Sequence, residues 1–272
     1  MNRISLPYGI DNFETVRTSN CYYIDKTGFI KELLGEAFSV NLLTRPRRFG
    51  KTLTMSMLAE FFDIRKDSRA LFDGLEISED QELCRQWMNQ YPVLFLTLKD
   101  VEGNRFEDAY GLLKFVISSL CIEHSYLGES DKTDEYDVPL AKAGDYNYYE
   151  EMLNIVKRFL GMVWKSNPYL QFAVVSGCLR IAKESIFTGA NNFISNSISD
   201  THYQNYFGFT EEEVRTLLED AGFPEALLEI KRWYDGYRFG EKEIYCPWDV
   251  INHVRALMQN PGAEPENYWI DT

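Results

Sequence analysis

The stretch from Ser39 to Phe62 constrains the fold more than any other part of the chain. Ser39-Val40-Asn41-Leu42-Leu43-Thr44 is a short apolar run, a basic turn follows, and Leu53, Met55, Met57, Leu58, Phe61 and Phe62 then recur at helical spacing. This is strand, loop, helix. The loop reads Arg45-Pro46-Arg47-Arg48-Phe49-Gly50-Lys51-Thr52. At such a junction backbone N–H groups and a helix N-terminus surround a phosphate, a lysine reaches the β- and γ-phosphates of a nucleotide, and a threonine hydroxyl ligates magnesium. A bare Gly-Lys-Thr is common, and the plainer alternative is an exposed basic turn. The strand before it and the apolar-periodic helix after it favour phosphate. Arg45 stands where such loops usually carry their first glycine, and Pro46 removes one amide.

The remaining apolar runs extend the same pattern. Tyr91–Lys99 and Leu170–Gly177 read as two more buried strands, and Tyr149, Met152, Leu153, Val156, Leu160 and Val163 lay one apolar stripe along a helix. Alternating strands and helices indicate an α/β fold, a parallel sheet covered by helices. After about Tyr203 the strand signals stop. Thr210 and Glu213 form a capping box ahead of Val214, Leu217 and Leu218, and a further helix starts near Pro247 and runs through Val250, Ile251, Val254 and Leu257. Trp233-Tyr234-Asp235-Gly236-Tyr237 reads as a helix end followed by a tight turn at Gly236. The division expected is an α/β domain over 1–202 and a smaller, mainly helical domain over 203–272.

Composition narrows the chemistry. The 272 residues, 45% hydrophobic, can build one large domain or a core with an appendage. With 28 Lys+Arg against 42 Asp+Glu the net charge is −14, which repels phosphate backbones and argues against direct nucleic-acid binding. In that acidic setting the aromatic clusters read as packing rather than base stacking. Cys21, Cys84, Cys121, Cys178 and Cys246 lie far apart, as do His124, His202 and His253, so reduced thiols, no structural zinc and a cytoplasmic setting are expected. Neither a secretory leader nor a run of membrane-spanning length is present, so no membrane partner is expected.

The phrases Tyr23-Ile-Asp-Lys26 and Arg45-Pro-Arg-Arg-Phe-Gly-Lys-Thr52 together resemble the bacterial AAA-ATPase-like family of P-loop proteins. Further phrases resemble its signatures in the same order: Leu6-Pro-Tyr-Gly-Ile10, Asp134-Glu-Tyr-Asp-Val-Pro-Leu140, Gly177-Cys-Leu-Arg-Ile-Ala-Lys-Glu-Ser185, Asn191-Asn192, Phe207-Gly-Phe-Thr210, Trp233–Tyr237 and Tyr245-Cys-Pro-Trp248. The resemblance implies a P-loop NTPase parallel sheet with helices on both faces, plus a helical lid or winged-helix-like C-terminal domain. It also implies ATP and Mg²⁺ as ligands, with Arg47, Arg48, Phe49, Gly50, Lys51 and Thr52 as the nucleotide loop, and makes Arg45 the family's own variation. Many members carry a restriction-endonuclease-like domain beyond the segment resembling Tyr268-Trp269; none is expected in this chain.

Other candidates divide between chemistry and packing. Asp131, Asp134, Glu135 and Asp137 are by themselves an ordinary solvated charge run. The resemblance makes Asp134 a metal ligand and Glu135 the residue that orients the attacking water. Arg180 follows the third strand, where ligands of open α/β sheets bind; it is either a sensor arginine or a partner for a surface carboxylate. Asp25 and Lys26 either border the adenine or pack the first helix. Cys178 has no histidine near it in sequence and reads as a small buried thiol.

An acidic pair of this kind ends a buried strand, and Leu127-Gly128-Glu129-Ser130-Asp131-Lys132-Thr133 cannot form one. Set against the family pattern, a segment of roughly thirty residues, a helix plus a strand, is missing near Lys132 and Thr133. Either a stretch is left out there, or the protein has a true deletion that removes a central strand. The leading expectation is therefore an ATP-dependent conformational switch with impaired hydrolysis; the alternative is a non-hydrolysing scaffold acting through a protein partner or homo-oligomer.

Overall fold

The computed structural model describes residues 4–36, 40–127, 148–164, 167, 169–178 and 193–268. Their elements are α1 (Phe13–Thr18), α2 (Gly28–Gly35), β1 (Val40–Thr44), α3 (Lys51–Phe62), α4 (Arg69–Phe72), α5 (Glu76–Glu79), α6 (Gln81–Trp87) and α7 (Phe106–Glu123). There follow α8 (Tyr149–Trp164), β2 (Ala173–Gly177), β3 (Phe193–Asn196), β4 (Phe209–Thr210), α9 (Glu211–Ala221), α10 (Leu227–Tyr234), β5 (Asp235–Phe239), β6 (Lys242–Tyr245) and α11 (Pro247–Gln259). The protein is α/β, and its chain divides into two compact units: one gathers 1–35, 47–91 and 198–272, the other 36–46 and 92–197.

The second of these units holds a three-stranded parallel sheet in the order β2-β1-β3. All five residues of β1 are buried, as a central parallel strand requires, and it pairs Leu43 with Ser176 on one side and with Asn196 on the other. Helix α8 follows its predicted stripe: Met152, Val156 and Leu160 join Val40, Leu42 and Val175 in one core. Ala109, Leu113 and Leu120 of α7 join the same core, yet α7 also carries Leu112, Phe115 and Ile122 at 41%, 68% and 76% exposure. It is apolar on two faces.

The expected strand at Tyr91–Lys99 is not part of this sheet. Among the described residues, 92–98 join neither sheet, although Thr97 is a β-bridge residue and Tyr91 bridges Asp63; Leu96 and Leu98 are buried while Phe95 and Thr97 are exposed. The alternation of a strand is present, with no ladder drawn to it among the described residues. Hydrophobic pattern fixes which side chains go inside, whereas pairing needs a neighbouring strand at the right spacing.

In the other unit, α9 begins at the predicted capping box: the Thr210 hydroxyl accepts the Glu213 amide at 3.3 Å and the Glu213 carboxylate accepts the Thr210 amide at 2.8 Å. Pro247 opens α11, and Val214, Leu218, Ile230, Val250 and Val254 close a core between the helices. The expectation that strands end near Tyr203 is corrected here. An antiparallel sheet runs in the order β4-β6-β5, pairing Phe209 with Tyr245 and Tyr237 with Ile244. These strands are short and partly solvated, and β5 and β6 carry charges at Asp235, Arg238, Lys242 and Glu243 with no long apolar run. Gly236 is likewise not a left-handed turn; it sits in β5 where the register shifts between Asp235 and Tyr237, a bulge.

Candidate phosphate-binding site

Arg45 lies just beyond β1 in the sheet-bearing unit and is 1% exposed. Its amide donates to Gly177 O at 3.1 Å, and its guanidinium donates to Thr44 O at 3.0 Å and Asn196 O at 2.9 Å. The residue in the place of the usual first glycine thus ties together the carboxyl ends of β1 and β3. A guanidinium with five donors suits that task, because strand ends leave carbonyls without ladder partners.

The rest of the loop, from Arg47 onward, belongs to the other unit. Arg47 is exposed. Gly50 is the N-cap of α3 in the left-handed region, φ 79° and ψ 13°, and no side chain caps the helix start. A serine or aspartate there would satisfy first-turn amides itself; a glycine leaves room for an anion to approach them. Lys51, 6% exposed, and Thr52, half-buried, are the first two helical residues. Further in, the Thr54 hydroxyl bonds back to Gly50 O at 3.0 Å.

Arg48 and Phe49 make side-chain contacts of a different kind. Arg48 also has positive φ, 68°, and its guanidinium lies 5.0 Å from the Trp248 ring centroid while donating to Tyr268 O at 3.1 Å. Trp248 Nε1 donates to the same Tyr268 oxygen at 3.1 Å, and Tyr8 stacks on Trp248 with centroids 5.3 Å apart. Burial pushes the Cys246 thiol up to about 12, so it stays protonated and donates to Arg48 O at 4.0 Å. Phe49, 1% exposed, meets Tyr237 edge-on at 4.7 Å and Phe239 at 5.2 Å, and its carbonyl accepts from Gly208 N at 3.3 Å.

Asp25 and Lys26 are both engaged in contacts within the protein. The Asp25 carboxylate accepts Thr27 N at 2.8 Å, Thr27 Oγ1 at 2.7 Å and Glu76 N at 2.7 Å. Lys26 Nζ donates to Glu213 and to Asn205 O at 2.6 Å. Burial lowers the Lys26 pKa from its ordinary value, against the opposing pull of the Glu213 carboxylate. Nearby, a cleft of about 860 Å³ is lined by Asp25, Glu211, Glu212, Glu241 and Glu243 against Arg238 and Lys242. Its carboxylates make it a poor seat for phosphate.

The loop therefore gathers Arg47, Arg48, Phe49, Gly50, Lys51 and Thr52, while Asp134, Glu135 and Arg180 lie outside the described residues. Cys178 is half-buried rather than buried, and all five cysteines are free. Among the described residues no group of three or more His, Cys, Asp or Glu could hold a metal ion, and no helix is long and apolar enough to cross a membrane. Sequence reasoning missed Gly208, Tyr237 and Trp248 as partners of the loop. The available signal was that each sits in one of the family-like phrases; their distance in sequence hid the meeting.

A family model described as "Predicted AAA-ATPase" matches residues 7–130 and 133–187. The match leaves out residues 131 and 132, near Lys132 and Thr133, where the sequence leads us to expect an absent segment. The "Uncharacterized protein in vnfD 5'region" of Azotobacter chroococcum mcd 1 is 29% identical over 303 residues, covering all of this chain and 55% of its own length. The chain thus spans about half the length of that curated relative. The aligned stretch, 303 positions, is longer than the chain's 272 residues. With two thirds of its length matched by the family model, the chain belongs to the AAA-ATPase-like family.

Proposed function

We propose that the protein binds ATP through the loop 47–52 and acts as a nucleotide-dependent conformational switch on a P-loop NTPase fold. The observation that carries this reading is the start of α3: a left-handed glycine, no side-chain cap, and Lys51 and Thr52 in the first turn. These residues fit a phosphate. First-turn amides and the helix dipole favour an anion there, and Lys51 neutralises charge that a protein of net −14 otherwise repels. Arg47 adds an exposed cation at the loop, while Arg48 and Phe49 contribute backbone. Thr52 and Asp134 would hold Mg²⁺, which when bound shields the phosphate charge. The sheet order supports the fold reading, since β1 is the central strand of a parallel sheet and the loop comes next in the sequence.

The interrupted family match favours a second reading, a non-hydrolysing module that keeps nucleotide binding and works through a protein partner or a second copy. On this second reading the acidic pair lacks a strand to hold it beside the loop. Calorimetric titration of wild type and Lys51→Ala with ATP, with and without Mg²⁺, followed by a phosphate-release assay, separates the readings. Binding lost in Lys51→Ala supports the nucleotide site; equal affinity refutes it. Turnover above background favours the hydrolysing switch over the inert module.

A further inference from the structure

Two residues of the loop are held by groups that have no phosphate chemistry, and the inference drawn from them rests on the phosphate-binding reading above. Arg48 sits in the left-handed region, where a residue with a Cβ is strained. Something must hold it there, and its guanidinium meets the Trp248 ring and the Tyr268 carbonyl. Phe49 is enclosed by Tyr237 and Phe239. Above it, Gly208 has φ +81°, and a Cβ there would come within 2.9 Å of Phe49 Cδ1 and 2.3 Å of Ile244 Cγ2. Both carbonyls are bonded as well, Arg48 O by Cys246 and Phe49 O by Gly208.

We infer that Arg48 and Phe49 are positioning residues, and that residues 208–268 act as a clamp: Trp248 and Gly208 hold the left-handed turn that presents Gly50, Lys51 and Thr52 to a nucleotide phosphate. The Arg48 guanidinium lies against an indole face and donates to a carbonyl; Arg47, beside it, is exposed to solvent. The clamp spans three distant phrases of the sequence, because Tyr8 stacks on Trp248 and Arg255 lies 4.2 Å over the Tyr8 ring. Loop geometry is then a property of the C-terminal fold, and the affinity for phosphate changes when the clamp is altered far from the phosphate itself.

A double-mutant cycle on the full chain tests this, with Mg-ATP as the probe, calorimetry as the readout and circular dichroism to confirm folding. Trp248→Leu removes the indole, lets Arg48 leave the left-handed region, and is expected to weaken ATP binding about tenfold. Adding Arg48→Gly to Trp248→Leu supplies a residue that takes positive φ without strain and is expected to recover most of that loss. Wild-type affinity in Trp248→Leu overturns the clamp. Failure of Arg48→Gly to rescue, with the double variant binding as poorly as Lys51→Ala, makes Arg48 a phosphate ligand and overturns its positioning role. Equal binding by wild type and Lys51→Ala refutes the phosphate site and takes the clamp with it. Should Trp248→Leu not fold, Tyr237→Leu reads the coupling from the Phe49 side: weaker binding supports it, and unchanged affinity overturns it.

Discussion

The Glu213 carboxylate serves Lys26 and the start of α9 at once, with Lys26 Nζ 2.6 Å from Oε1 and 2.7 Å from Oε2 while the Thr210 amide donates to Oε2 at 2.8 Å. One side chain closes a capping box and neutralises a lysine that is only 8% exposed. The amino-terminal segment and α9 are therefore tied through a charge pair removed from most of the solvent. Lys26→Met should lower unfolding stability by roughly 3 kcal/mol, the cost of breaking such a pair from one side. Chemical denaturation measures it. ATP affinity of the folded variant should stay at the wild-type value, because Lys26 is occupied by Glu213 and Asn205; a selective loss of ATP binding would return Lys26 to the nucleotide.

Thr52 offers a hydroxyl in the first turn of α3. Thr52→Ala should leave ATP affinity without metal almost intact and abolish most of the enhancement that Mg²⁺ gives, about tenfold or more. Paired titrations with and without Mg²⁺ check this, and an unchanged magnesium effect removes Thr52 as a ligand.

Hydrolysis should be slow or absent. If Asp134 and Glu135 are displaced from the nucleotide by the missing strand, Glu135→Gln will leave the residual phosphate-release rate unchanged, whereas a working pair loses about 10²-fold or more. Arg180→Ala extends the test. As a sensor, Arg180 should affect ATP-linked closure or turnover more than the affinity for ADP, and an equal fall for both nucleotides would make it a simple binding or structural residue.

His253 is 0% exposed, with Glu229 Oε2 3.6 Å from its Nε2 and the Tyr234 ring 5.8 Å away. Burial lowers its pKa below the ordinary value, outweighing the carboxylate. In the unfolded chain the imidazole takes up a proton near pH 6.5, and the folded protein resists doing so. Unfolding thus gains protons, so stability should fall as pH drops from about 6.5 toward the lowered folded value, then level off. His253→Gln should flatten that segment of the stability profile. A slope identical to wild type would place the acid sensitivity elsewhere.

What could be read from the sequence was local. β1, α3, α8, the Thr210–Glu213 box and the start at Pro247 each depend on side chains a few positions apart, and each is found where periodicity put it. Residues 92–98 show the limit: their alternation is correct, but a ladder is a property of neighbours, which a local pattern does not specify. The strands β4, β5 and β6 escaped because short solvated strands carry charges such as Lys242 and Glu243 where a buried strand would carry valine. At the loop, Gly50-Lys51-Thr52 was legible as a contiguous phrase. Its contacts with Gly208, Tyr237 and Trp248 were not, since they join residues more than a hundred positions apart.

The two-faced helix α7 sets how the protein behaves in concentrated solution. At low ionic strength the net charge of −14 keeps molecules apart over distances longer than any apolar contact can reach. Added salt shortens that repulsion from about 10 Å at 0.1 M to about 3 Å at 1 M, while adhesion between oily strips is left intact or strengthened. Phe115 and Ile122, both exposed, are the residues expected to make contact between molecules under those conditions. Dilute buffer should therefore be the better storage medium, and scattering intensity should climb with salt in a way that Phe115→Lys suppresses.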